Sequence, residues 1–284
     1  MSKYVILYNP ISGNGNGEKA KDELVKLLAD AEVRTEDVRT VKNYDEFFAG
    51  LTDETPVIVG GDGTLNYLVN HCDCDKLEKE VYYFPGGSGN DFFTDVKTEG
   101  MQLPMLLNPY IKDLPTVYVA GKSYKVLNGM GYGIDGYCCE VGDEQRAKSD
   151  KPVNYAGIAI KGLLFHYKPT NATITVDGVT REFKKAWLAP TMNGRYYGGG
   201  MNATPNQNRL DPEKKLSTLV MYKSGKIKTL LVFKNIFTGT HVKNTECVEV
   251  LEGHDITVKF DRPVAAQVDG ETVLGVTEYR IVKK

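Results

Sequence analysis

The chain has 284 residues and a mass of 31.5 kDa, with 41% hydrophobic and 25% charged residues. That is ordinary globular usage, and at about 100–200 residues per domain it makes two domains the working count and excludes a disordered chain or a coiled coil. A net charge of −2 excludes a general nucleic-acid binder, which is usually strongly basic.

No apolar run approaches the roughly 18 residues of a membrane span, and Met1–Pro10 (MSKYVILYNP) enters a strand-like run with no leader pattern, so a cytoplasmic protein is expected. The cysteines Cys72, Cys74, Cys138, Cys139 and Cys247 then read as reduced thiols. His71 beside Cys72 and Cys74 lacks the CxxC spacing of zinc sites and reads as local packing. Charge is uneven along the chain: residues 1–150 carry net −10 and residues 151–284 net +8.

In chain order, KYVILYN (3–9) reads as a strand, and Ala20, Leu24, Leu27 and Leu28 fall at helical spacing. A β-like stretch at 35–41, a helix at 44–51 and the buried-strand run PVIVGG follow, then a helix over Thr64–Asn70 with Leu65, Leu68 and Val69 on one face. The strand VYYFP leads to a helix start at Asn90–Thr94. This alternation predicts a parallel sheet covered by helices. From Leu114 the texture turns to β-branched and aromatic runs split by Gly, Asn and Pro, which predicts an antiparallel half with Asp-Gly hairpin turns in VDGVT and VDGET. Helical interruptions are predicted at 143–166 and 226–238, and the domain boundary near 115–122.

Three glycine-rich loops each follow a strand and precede a helix, which gathers them at the carboxyl edge of a parallel sheet, where such folds bind ligands. The first runs from Asn9 through Ser12 and Gly13 to Gly17, and its spacing is neither GxGxxG nor GxxxxGK[ST]. Its glycines let backbone amides approach phosphate oxygens at a helix start. The second, Gly60-Gly61-Asp62-Gly63-Thr64-Leu65-Asn66, exposes an aspartate between glycines, with Thr64 a helix cap; a carboxylate beside phosphate-binding amides makes sense if Mg²⁺ joins them. The third, Pro85-Gly86-Gly87-Ser88-Gly89-Asn90-Asp91, carries a second aspartate, for which an ordinary N-cap is the competing reading. It matches GxSxG until Asn90, which weakens a serine hydrolase.

NPISGNGNG, GGDGTLN and PGGSGND, in this order and at roughly this spacing, resemble the catalytic domain of the diacylglycerol kinase family in its soluble bacterial lipid-kinase branch. More distantly the chain is similar to sphingosine and ceramide kinases, and it shares GGDGT with NAD kinases and phosphofructokinases. The resemblance continues through Asn128–Asp135, Tyr197–Met201 with Pro205, and Val268–Glu271, so it covers nearly the whole chain. It implies an NAD-kinase-like α/β nucleotide-binding domain over 1–121 and an antiparallel β-sandwich lipid-kinase domain over 122–284. The last strand is a candidate to return to the first domain, and ATP and Mg²⁺ are expected between the two.

By the same resemblance Gly60, Gly61, Asp62, Gly63 and Thr64 hold ATP phosphates together with Gly13, Gly87, Ser88, Gly89 and Asn90. Asn9, Ser12, Thr40 and Asn66 join the nucleotide set. Asp62, Asp91 and Asp269 form a carboxylate network around Mg²⁺, and Glu271 is the general base that takes the lipid hydroxyl proton. Without the resemblance, Asp269-Gly270-Glu271 reads equally as a hairpin turn with two solvated carboxylates. A second, structural metal is implied at Leu210, Glu213 and Lys215, although Arg209–Leu216 lacks the family's Asp-Gly and offers Asp211 or Glu213 in its place. Ser88 stands for a commoner threonine, and Tyr67 for a frequent acidic residue.

The implied reaction is transfer of the ATP γ-phosphate to a lipid hydroxyl, diacylglycerol first. A sphingoid base, another glycerolipid or NAD are alternative acceptors, and a catalytically silent nucleotide or lipid binder is the alternative of another class. Partners are then ATP and a lipid at a membrane surface, not nucleic acid, with a homodimer left open. Residues 209–243 carry eight Lys and Arg against two acids beside apolar Leu230–Phe233, Ile236 and Phe237. That pattern suits peripheral contact with anionic lipid, at about 1 kcal/mol per basic residue, or else a core helix with a solvated lysine face. The histidines His71, His166, His241 and His254 read as structural, and Trp187 as core. Tyr196 and Tyr197 read equally as cleft-lining or as core.

Overall fold

The computed structural model describes residues 1–13, 15–149 and 153–284. Asn14 of the first loop, and residues 150–152 of the helix expected at 143–166, lie outside the described residues. Contacts divide the chain into two units, Met1–Leu114 and Pro115–Lys284.

In the first unit, β1 (Lys3–Tyr8), β2 (Glu32–Asp37), β3 (Glu54–Gly60), β4 (Tyr82–Pro85) and β5 (Met105–Leu106) form a sheet in the order β2-β1-β3-β4-β5. All pairs are parallel except β4 with β5. The connecting helices are α1 (Asn16–Leu27), α2 (Tyr44–Ala49), α3 (Asp62–His71) and α4 (Asp91–Val96), followed by the single turn α5 (Asn108–Ile111). Continuous apolar runs make β1 and β3 buried on both faces: Val5–Leu7 and Val57–Val59 are sealed from solvent. Ala20 and Leu24 of α1, and Leu65, Leu68 and Val69 of α3, are the buried stripes that the helical spacing predicts. The stretch expected as a strand at 35–41 ends at Asp37, because Asp37 caps a 3₁₀ turn over Val38–Thr40 by accepting from Arg39 N.

The second unit opens with the hairpin β6 (Thr116–Val119) and β7 (Lys122–Lys125). The boundary sought at 121 therefore falls inside a hairpin, and the division lies at Leu114. After β8 (Gly129–Tyr132) come α6 (Ile134–Arg146), α7 (Tyr155–Lys161) and one π-helical turn, Gly162–His166. The helix expected from 143 thus begins nine residues earlier, directly after Gly133 at φ 113°. Gly136 lets α6 lie against the sheet: a Cβ there would stand 2.0 Å from the Ala265 carbonyl oxygen. Then follow β9 (Thr170–Val176), β10 (Val179–Ala186), β11 (Thr191–Met192), β12 (Tyr196–Tyr197), β13 (Met201–Asn202) and β14 (Leu216–Met221). The chain continues through α8 (Lys226–Lys234), β15 (Val248–Gly253), β16 (Asp255–Val268) and β17 (Glu271–Val282).

The main sheet is antiparallel, in the order β15-β14-β11-β8-β16-β17-β6-β7. Long β16 divides it: its first half pairs β9, which carries β10, and its second half pairs β8. The last strand, β17, pairs β16 and β6 and belongs to this sheet. Trp187 is core as expected, with its indole N–H on the Ser224 carbonyl at 3.0 Å.

Candidate functional site

In the first unit, the three glycine loops leave the carboxyl ends of β1, β3 and β4, which are neighbours in the sheet. Hydrogen bonds tie them together. Gly61 N donates to Ser12 Oγ at 3.2 Å, Asn9 Nδ2 to Thr64 Oγ1 at 3.4 Å, and Gly86 N to the Gly60 carbonyl at 2.7 Å. Gly61 and Gly87 are required by this approach, since a Cβ on Gly87 would stand 2.4 Å from the Gly61 Cα. Asn90, in the left-handed region at φ 50°, closes the third loop by accepting from Gly87 N at 3.0 Å and donating to the Gly87 carbonyl at 2.8 Å. Buried Tyr83 donates its hydroxyl to the Gly60 carbonyl at 3.0 Å, and burial holds that hydroxyl well above its usual titration range. The amides of Gly13, Ser88 and Gly89 have no acceptor among the described residues, and Ser88 and Gly89 are exposed.

Asp62 is the first residue of α3, and its two carboxylate oxygens accept from Asp91 N at 2.9 Å and Phe92 N at 2.8 Å. It therefore caps α4 from the end of the neighbouring strand, while Asn90 at the N-cap position makes no side-chain cap bond and Asp91 is the first residue of the helix. Anionic charge at a helix start is favourable, and buried Asp91 opens the helix that Asp62 caps. This oxygen-rich donor set suits a hard cation such as Mg²⁺. Thr64 lies inside α3 instead of capping it. Two expected nucleotide contacts make local hydrogen bonds. The Thr40 hydroxyl donates to the Asp37 carbonyl at 2.8 Å, and Asn66 Oδ1 accepts from Asn70 Nδ2 at 2.8 Å.

In the second unit, Asp269 and Gly270 form the two-residue turn between β16 and β17, both at positive φ (47° and 96°), with Val268 paired to Glu271. The hairpin reading holds for the backbone, yet the Asp269 carboxylate is not solvated as a plain turn residue. It accepts from Leu127 N at 2.6 Å, Asn128 N at 2.7 Å and Gly129 N at 3.0 Å. Glu271 follows as an exposed carboxylate at the head of β17.

A buried network that the sequence left unremarked braces this turn. Arg209, 7% exposed, donates Nη1 to the Leu127 carbonyl and Nη2 to Asn128 Oδ1, each at 3.0 Å. Lys283, 6% exposed, donates to Asn193 Oδ1 at 2.8 Å, and Asn193 Nδ2 to the Leu127 carbonyl at 3.0 Å. No local pattern signals this, because its members come from four separate strands and loops. Asp135 is fully enclosed, and burial pushes its carboxyl up to about 6. Tyr197 donates to it at 3.2 Å, so Tyr197 is a core residue.

The second metal set does not fit. The Lys215 ammonium sits on the Glu213 carboxylate, and the His254 imidazole occupies the Glu213 carbonyl at 2.7 Å. Asp211 spends its oxygens on Glu213 N and Lys215 N, at 3.1 and 3.2 Å. Leu210, Glu213 and Lys215 thus form a self-satisfied loop.

The family profile described as "Diacylglycerol kinase catalytic domain" matches residues 3–117, and that described as "YegS C-terminal NAD kinase beta sandwich-like domain" matches residues 129–280. The chain belongs to the diacylglycerol kinase catalytic-domain family, in its bacterial lipid-kinase branch. It is 24% identical over 317 aligned residues to "Putative lipid kinase YtlR" of Bacillus subtilis (strain 168), covering 99% of this chain and 96% of that protein. It is 27% identical over 226 residues to "Putative lipid kinase SERP0390" of Staphylococcus epidermidis, covering 75% and 69%. A solved structure described as "a putative diacylglycerol kinase from Bacillus anthracis str. Sterne" superposes with TM-score 0.67 at 20% identity, over 99% of this chain and 93% of that one, and shares its fold.

Proposed function

We propose that the protein transfers the γ-phosphate of ATP to a lipid hydroxyl, with diacylglycerol the acceptor and phosphatidic acid the product. The observation that carries this reading is the meeting of three loops in the first unit, with uncommitted amides at Gly13, Ser88 and Gly89 beside the Asp62 carboxylate. Phosphoryl transfer asks little covalent work of a protein and much positioning and charge stabilisation, which amides and carboxylates supply. The loop amides cradle the phosphates, and Asp62 and Asp91 are the carboxylates of this unit that would hold Mg²⁺. Bound Mg²⁺ neutralises charge on the phosphate oxygens and orients them. Glu271 takes the proton of the acceptor hydroxyl as its oxygen attacks the γ-phosphorus, and ADP leaves. Retention of all four carboxylates argues against a silent binder.

A lipid acceptor calls for a membrane-contacting face, and α8 is the candidate for it. Thr229 and Val232 are buried while Ile227 and Leu231 point outward at 75% and 63% exposure, so its outer side is not a plain lysine face. Lys226 and Lys228 flank those side chains, Lys226 on the Leu164 carbonyl at 2.6 Å and Lys228 paired with Glu246 at 2.8 Å, so an anionic headgroup would compete for them. Among the described residues no helix is long and apolar enough to cross a membrane.

The reading is tested by substitution. Asp62→Asn should abolish Mg²⁺-dependent transfer while the protein stays folded; full turnover in that variant would remove the carboxylate set from the mechanism.

A further inference from the structure

Three irregular stretches of backbone in the second unit meet around one cavity of about 450 Å³. One is the π-helical turn Gly162–His166, which ends on the wall formed by His166, Tyr167 and Lys168. Another is the slip in β16, where the ladder to β17 breaks between Lys259 and Val264 and leaves Arg262 and Pro263 out of register. The third is Gly275 of β17, at φ 68°, on the opposite wall. π-turns and β-bulges recur at functional sites, where they re-aim side chains.

Basic side chains outnumber acidic ones in the lining. Lys168 and Arg262 are permanent cations, His166 adds an imidazole, and Glu140 is the one carboxylate in the lining. No ion pair joins Glu140, Lys168 or Arg262 to another side chain among the described residues. The neighbouring Asp261 is committed elsewhere, accepting from the Thr170 hydroxyl and, at 2.8 Å, from Asn171 Nδ2. Arg262 is held in place: its guanidinium lies 5.6 Å from the Tyr167 ring centroid and its Nη2 donates to the Lys168 carbonyl. That leaves Nε and Nη1 without an acceptor among the described residues. Tyr167 is 5% exposed, and its hydroxyl has no hydrogen-bond partner among the described residues.

We propose that this cavity binds a phosphomonoester group. A phosphomonoester carries about −1.5 to −2 charges at pH 7 and is attracted to a lining with two basic side chains against one carboxylate. The fixed guanidinium fork fits phosphate oxygens, and Lys168 adds a point charge. Tyr137, Pro263 and Val264 give apolar walls for a short organic part, and the volume falls within the roughly 300–1,000 Å³ of small-molecule sites. The group can belong to a soluble ester or to a lipid headgroup. The proposal is independent of phosphoryl transfer, since it uses no residue of the glycine loops or of the Asp269 turn.

The test is amide NMR of the full chain titrated in two arms, one with sn-glycerol 3-phosphate and one with vesicles of phosphatidic acid in phosphatidylcholine. Shifts of the Ala265 and Gly275 amides separate this cavity from phosphate bound at the glycine loops. Saturable shifts at these two amides are expected in at least one arm, and the responding arm names the source. A charge-assisted hydrogen bond contributes about 1.5–3 kcal/mol, so Arg262→Gln should weaken binding at least about tenfold. Lys168→Gln, at an exposed side chain outside any ion pair, should weaken it several-fold without changing Tm. The proposal is overturned if neither arm moves the two amides, or if the Arg262→Gln, Lys168→Gln double variant binds as the wild type does.

Discussion

Replacing Asp269 by Asn tests how the turn between β16 and β17 is held. The substitution preserves tolerance of the left-handed φ of 47° and nearly preserves volume, so strain and cavities are not introduced. It removes the charge and converts one acceptor oxygen into a donor. With the amide oxygen placed on the side of Asn128 N and Gly129 N, those two bonds survive in neutral form, and Leu127 N, now at 2.6 Å from an acceptor, faces an NH₂ group. An unsatisfied buried amide costs about 1–3 kcal/mol, and loss of charge assistance on the other two adds roughly 1 kcal/mol. The expected total is about 2–4 kcal/mol, or a Tm lowered by roughly 4–16 °C for a unit of this size. Urea unfolding monitored by the fluorescence of Trp187, buried in the same unit, reads this directly. A loss below about 0.5 kcal/mol would refute the claim that the carboxylate organises Leu127–Gly129 and leave Asp269 a plain turn residue.

Further expectations concern the chemistry, the pH response and the membrane. Glu271→Gln should lower kcat by about 10²–10⁴-fold with ATP affinity unchanged, read by steady-state turnover and nucleotide titration; wild-type turnover would exclude it as the base. Asp135, raised to about 6 from an unfolded value near 3.8, favours the folded state fully below pH 4 and loses that contribution as pH rises through 6. Asp135→Asn should therefore gain about 3 kcal/mol relative to wild type between pH 4 and pH 7.5 in denaturant titrations, and parallel stability curves would contradict this. Changing Lys223, Lys226 and Lys228 to Glu should weaken sedimentation with anionic vesicles at low salt, and unchanged binding would remove α8 as the contact.

What the sequence disclosed follows from the range of the interactions involved. The apolar runs of β1 and β3 and the stripe Leu65, Leu68, Val69 are local patterns, and they emerged where periodicity puts them. The glycine loops were legible because close backbone approach leaves glycine as its only trace, as Gly61 against Gly87 illustrates. Helix α6 begins nine residues before the expected start, where Gly133 supplies a positive φ and Gly136 a close docking contact that periodicity does not show. Thr64 was taken for a cap because the helix begins at Asp62, which itself caps α4 from a distant position in the chain. Arg209 and Asn193 converge on Leu127 and Asn128, and Lys283 on Asn193, each from more than 60 residues away, and no spacing rule reaches that far. The implied second metal set meets pairings that a motif comparison does not weigh: Lys215 on Glu213, and Asp211 on the Glu213 and Lys215 amides.

The most direct test of the central claim is transfer of label from γ-phosphate-labelled ATP, with Mg²⁺, to diacylglycerol micelles, with sphingoid bases, a host lipid extract and NAD offered in parallel. Labelled phosphatidic acid, absent when Mg²⁺ is chelated, is the predicted result. Label in a different product would keep the kinase and replace the acceptor, whereas no labelled product from any acceptor, with ATP bound, would contradict the account.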